Sequence, residues 1–169
     1  MNEHYQIAES SPSYGRFRRE HPELLIGRPA EAVPEGTIEY GIRTGLDYAF
    51  AEVRGHMARV ITELFERFDV DGVELDWQRR AFHLPADDAY RLRYTLTDLM
   101  RAIRAATEAI AAERGRPFHV AARVATTFES CRRIGYDVET WVRDGLCDIV
   151  ISGGNSGTDP GAEVERFVE

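Results

Sequence analysis

Three short β-rich runs alternate with helical stretches along this chain, and that order constrains the fold more than any other feature. The runs fall at 69–76, 118–124 and 147–152. Ahead of the first, Val53, Met57, Val60, Ile61, Leu64, Phe65 and Phe68 recur at helical spacing with charges on the opposite side. Between the first and second, Leu92, Leu96, Leu99, Ile103, Ala106 and Ile110 form another stripe. Asp87 or Asp88 is placed to cap that helix, which runs to about Glu113, and Gly115 with Pro117 just beyond stops it. Shorter helices are expected over 128–134 and from Asp137 to Gly145, and a last one after Asp159-Pro160. Strands alternating with helices imply an α/β fold, a parallel sheet with helical crossovers. Three strands do not close a barrel, and an eight-stranded one needs about 250 residues. The chain has 169, so it is either a small open sheet or a slice of a barrel.

Residues 1–46 do not follow this rhythm. They are rich in Pro, Gly and Ser and read as irregular, too long for an ordinary connecting loop. The totals narrow the function classes. The net charge is −8, from 21 basic and 29 acidic residues. That balance argues against nucleic acid or an anionic lipid surface, both of which need concentrated positive charge. No apolar run is long enough to cross a bilayer. The two cysteines, Cys131 and Cys147, form no CxxC pair, so neither a zinc cluster nor a disulfide framework is expected. No leader segment opens the sequence, so as written it reads as cytoplasmic. No metal or organic cofactor is implied.

The first β-rich run, DVDGVELDWQRR over 69–80, poses the chemical question. A strand core rarely carries acids, because a buried carboxylate is costly unless it is paired or used. Alternate residues share a face, so Glu74, Asp76 and Gln78 lie together. Asp76 is last on its strand, nearest the end where parallel α/β proteins build their sites. That spacing suits glycoside chemistry, in which a carboxyl group protonates a leaving oxygen or stabilises an oxocarbenium ion. On the second strand His119, Ala121 and Arg123 alternate, which puts Arg123 within reach as an ion-pair partner for Glu74. The polar candidates for holding a substrate are Trp77, Arg80, Arg123, Ser152 and Asn155. Trp77 can either stack on a sugar or turn toward the helices, while Trp141 lies on a helical pattern and reads as core. His83 with Asp87 and Asp88 has the residue types of a metal cluster but reads as a satisfied loop. GGNSG after the third strand lacks the spacing of a nucleotide-phosphate loop. The chain contains no lysine, which removes the usual base of aldolase-type barrels.

Two resemblances bear on these residues. DGVELDWQ is similar to the DGxDxDxE strand signature of family 18 glycoside hydrolases, in which the final Glu is the catalytic acid. Here Glu74 replaces an Asp, and Gln78 stands at the position of the acid. Over nearly the whole chain the sequence resembles the glycosyl-hydrolase-like family 10 group, TIM barrels of the bacterial glycosidase clan. The matching stretches are REHPELLIG (19–27), LDYAFAEVRGHM (46–57), DVDGVELDWQRR (69–80) and RVATTFESCRRIGYDVETWVRDGLCDIVISGG (123–154). The resemblance implies that 1–169 is a fragment of one TIM-barrel domain. In that registration 1–46 is the loop after the third barrel strand, 47–169 are helix–strand repeats, and the three strands are the fourth to sixth. MNEH (1–4) resembles the tail of the third strand, which makes Met1 internal and Asn2 and His4 mouth residues. The resemblance further implies hydrolysis of a glycosidic bond, with Asp76 as the main carboxylate and Glu74 orienting it or paired with Arg123. The second carboxyl group then comes from a strand outside the chain or from Glu3. A longer relative could be exported. A barrel that holds a sugar without cleaving it fits the Gln at 78 as well, and a three-stranded fragment inactive alone is a further alternative. Open sheet edges also invite self-association.

Overall fold

A computed structural model of the chain describes residues 14–27, 34, 37–79, 81–153 and 159–168. Asn2, Glu3, His4, Arg80 and Asn155 lie outside the described residues. The architecture is a mixed α/β arrangement around a three-stranded parallel sheet. In chain order it comprises α1 (Arg16–Glu20), α2 (Ile38–Arg43), α3 (Ala51–Arg67), β1 (Gly72–Asp76), α4 (Ala89–Arg114), β2 (His119–Val124), α5 (Phe128–Arg133), α6 (Val138–Arg143) and β3 (Ile149–Ser152). Short 3-10 turns fall at Pro22–Leu24 and Val164–Phe167.

The expected strands are all present, each trimmed at its start to the residues that pair. Two other expectations are corrected. The stretch before Leu46 is not uniformly irregular: it contains α1, α2 and a bridge between Leu25 and Leu46. Thr37 starts α2 by accepting the Tyr40 N–H, a local cap that loop-like composition concealed. Asp159-Pro160 does not open an α-helix. The Asp159 carboxylate accepts instead from the Thr126 hydroxyl (2.7 Å) and the Gly161 N–H (2.9 Å), and among the described residues a 3-10 turn is the helical element beyond it.

The strands run in the order β1-β2-β3. The register pairs Glu74 with Ala121 and Ile149, and Asp76 with Arg123 and Ile151. Leu75 pairs with Ala122 and Val150 on the opposite face. That face is the core: Leu75, Val120, Ala122 and Val124 are buried against α3 and α4 together with Val53, Ile61, Phe65, Leu96, Met100 and Ile103. β1 and β2 approach so closely at Gly72 that a side-chain carbon there would stand 2.5 Å from the His119 carbonyl oxygen. Gly115 ends α4 in the left-handed conformation (φ 66°), as its place after the apolar stripe predicts. The other face of the sheet is open among the described residues: Glu74 and His119 are exposed and Ile149 is 52% exposed.

The ends of the strands at which the acids sit are tied together by aromatic packing. Trp77, Tyr48, His83, Tyr136 and Trp141 form one buried cluster just beyond β1, with ring centroids 5–6.3 Å apart along its contacts. The Tyr136 hydroxyl donates to the Trp77 carbonyl (2.7 Å), and the Trp141 indole N–H donates to Thr97 Oγ1 (3.0 Å).

Candidate functional site

The alternation of β1 delivers Glu74 and Asp76 to the open face, as the sequence predicts. What it does not predict is the partner. Arg123 pairs with Asp76, not with Glu74. Its Nη1 donates to both carboxylate oxygens, Oδ1 at 2.9 Å and Oδ2 at 3.0 Å. The reason is register: Asp76 is the direct neighbour of Arg123, whereas Glu74 sits two residues back beside Ala121. Glu74 is left exposed on the same face.

Asp76 also organises the chain that follows it. Its Oδ1 accepts the backbone N–H groups of Gln78 (3.1 Å) and Arg79 (2.8 Å), folding the strand exit into a tight turn. The Trp77 N–H donates to the Arg123 carbonyl (3.1 Å), so the pairing of β1 and β2 extends one residue past the strand. Asp76 therefore presents oxygens that accept from a guanidinium and two amides, and its geometry is that of a held acceptor. The side chains of Asp76 and Arg123 are 32% and 22% exposed, half-buried at the edge of the open face.

Other expected contributors stand elsewhere. Trp77 is fully buried in the aromatic cluster and offers no ring face to a ligand. Ser152 shares the face of Val124, not that of Arg123, and its hydroxyl is enclosed with no partner among the described residues. Trp141 is core, as its helical position predicts. No group of three or more His, Cys, Asp or Glu side chains is placed to hold a metal among the described residues. No helix there is long and apolar enough to cross a membrane.

His83, read from the sequence as part of a satisfied loop, is more unusual than that. It is fully buried, and its backbone carbonyl accepts the Tyr48 N–H (2.9 Å). Tyr136 has one hydroxyl proton and gives it to Trp77. The contact between His83 Nδ1 and that hydroxyl (3.0 Å) is therefore an Nδ1–H donation, and Nε2 is left a buried acceptor without a partner among the described residues. Burial holds the imidazole well below its ordinary value of 6.5. The unfolded chain takes up a proton near pH 6.5 that the folded chain refuses, so stability is full above that pH and falls below it. The expected slope approaches about 1.4 kcal/mol per pH unit as the pH falls below about 6.5, measured by urea unfolding at a series of pH values on both sides of that value. His83→Gln is expected to flatten the slope, and an unchanged slope would place its origin elsewhere.

A second carboxyl group escaped the sequence reading. Asp47, in the LDY triplet, is buried, and burial raises its carboxyl group above the ordinary range. Its Oδ1 accepts the Ala49 N–H (2.8 Å), which makes it the opening turn before α3. The signal for it was an acid flanked by the core residues Leu46 and Tyr48.

A concavity of about 610 Å³ lies between the turn after β1 and α5. Gln78, Phe82, Asp87, Tyr90, Ser130 and Arg133 contribute to its walls. No protein-family model matches the chain, and no curated protein matches it.

Proposed function

We propose that the chain is the middle of a glycoside-hydrolase-like (β/α)8 barrel that cleaves a glycosidic bond, with Asp76 as its principal carboxylate. One observation carries the reading: a half-buried carboxylate, clamped by Arg123 and two backbone N–H groups, at the exit of a parallel strand on the open face. Acids at that end of parallel strands are where α/β barrels do their chemistry. A carboxylate held as an acceptor suits the stabilisation of an oxocarbenium ion better than protonation of the leaving oxygen. Glu74, exposed on the same face, is the carboxyl group available beside it. Self-association through the outer edges of β1 and β3 accompanies this reading, since neither edge has a neighbour among the described residues.

A second reading, a barrel that binds saccharide without cleaving it, is favoured by Gln78, which cannot donate a proton as a carboxylic acid does. The test is a panel of nitrophenyl glycosides offered to the full chain and to Asp76→Asn. Release of nitrophenol by the parent and not by the variant supports hydrolysis. Saturable saccharide binding without release supports the second reading, and neither result from the parent removes both.

A further inference from the structure

We propose that the pocket between the turn after β1 and α5 is a saccharide subsite that takes one neutral sugar ring, with a ring hydroxyl donating to the Gln78 side-chain oxygen. The inference rests on the carbohydrate reading above and adds the place and the recognition chemistry.

Four observations converge on this pocket. Gln78 Oε1 is buried and has no hydrogen-bond partner among the described residues. A buried acceptor left empty is costly, and a ligand donor is one explanation of its presence. Phe82, on the pocket wall, adopts φ 70°, a left-handed conformation that a bulky residue rarely takes. Such strain is concentrated where a loop is shaped for a ligand. The pocket is also joined to the carboxylate, because the Gln78 N–H donates to Asp76 Oδ1 (3.1 Å). Its volume of about 610 Å³ falls within the roughly 300–1,000 Å³ of small-molecule sites.

The lining selects the class of ligand. Among the described residues its charged side chains are one arginine, Arg133, and one aspartate, Asp87. Gln78 Oε1 and Asp87 accept, Arg133 donates, and the Ser130 and Tyr90 hydroxyls do both. A phosphate or carboxylate would meet the Gln78 oxygen and Asp87 as repulsive neighbours. A wholly apolar ligand would leave Gln78 Oε1 unpaired. A sugar ring satisfies both demands: its hydroxyls donate and accept, and its C–H faces suit a floor that includes four alanines.

The experiment is a titration followed by nitrogen–proton correlation spectra of the full chain. The probes are maltose, cellobiose and diacetylchitobiose, with inorganic phosphate as the charged control. At least one disaccharide is expected to shift the Gln78, Phe82 and Tyr90 amides saturably, and phosphate is not. Gln78→Leu is expected to weaken that binding about tenfold or more while leaving Tm unchanged or higher, because the orphaned acceptor is gone. Ala86→Trp, at an exposed position on the pocket wall, is expected to block binding without unfolding the chain. Unaltered binding in Gln78→Leu, or a response to phosphate alone, overturns the proposal. A fall in Tm in Gln78→Leu assigns Gln78 a structural role and overturns it too. Sugar-induced shifts confined to the Asp76, Arg123 and Ile151 row overturn the pocket and leave the carbohydrate reading standing. No shift anywhere with any saccharide overturns both.

Discussion

Trp77→Ala is expected to lower folding stability by about 3–5 kcal/mol, the cost of a large-to-small change at a fully buried aromatic. Trp77 has no exposed surface and touches Tyr48, His83, Tyr136 and Trp141. Alanine would leave a cavity bounded by four rings that cannot all collapse into it, because Tyr136 and Trp141 are fixed by hydrogen bonds to the Trp77 carbonyl and to Thr97. Urea unfolding followed by far-ultraviolet circular dichroism reads the change. Trp77→Phe separates packing from polarity. The Trp77 indole N–H is buried without a partner among the described residues, so its removal costs no hydrogen bond. Phenylalanine is therefore expected to recover more than half of the loss. A cost within about 1 kcal/mol for alanine would contradict the burial on which this rests. A well-folded Trp77→Ala would also report on the site, since residue 77 joins Asp76 to the turn that carries Gln78.

This cluster shows where sequence reasoning stopped. The period of β1 assigned Leu75 to the core and Glu74 with Asp76 to the other face, because a strand has only two faces and the apolar residues must take the covered one. The same rule does not reach Trp77, which stands just past the strand where the backbone turns and alternation lapses. Ser152, a mouth residue by its place at the end of β3, pairs with Val124, and its side chain takes the covered face that Val150 shares. The choice of Asp76 over Glu74 for Arg123 depended on a register of β1 against β2 that local pattern cannot supply. The long helices were legible because α3 and α4 each bury one continuous stripe. The short helices before Leu46 were not, since α1 and α2 have only five and six residues and too few turns to establish a period. The pocket behind Gln78 was invisible for another reason. It is made by two segments that follow different strands, the turn after β1 with the start of α4 and the α5 region after β2, and only the sheet brings them together.

The remaining large effect concerns Asp76 and Arg123 together. Arg123→Met is expected to cost about 1–3 kcal/mol. That lies below the roughly 3–5 kcal/mol for breaking a fully buried pair, because both side chains keep some solvent contact, and above the value of a surface pair. Asp76→Asn is expected to cost a similar amount, since it removes the charge that two oxygens share with one guanidinium nitrogen and weakens the turn built on Oδ1. The double variant is expected to cost less than the sum of the two by about 1–2 kcal/mol, the signature of direct coupling. Turnover divides the roles that stability does not. If Asp76 reacts with the sugar, Asp76→Asn lowers kcat/KM about 10²- to 10⁴-fold and saccharide binding survives. Arg123 acts through Asp76, so Arg123→Met is expected to lower kcat with a smaller change in KM. Arg123→Lys, which keeps the charge without the planar fork, is expected to recover stability more fully than rate. A loss of stability in Arg123→Met with kcat and KM both unchanged would show that the arginine supports the fold alone. An additive double variant would show that the pair is geometric proximity without energetic consequence.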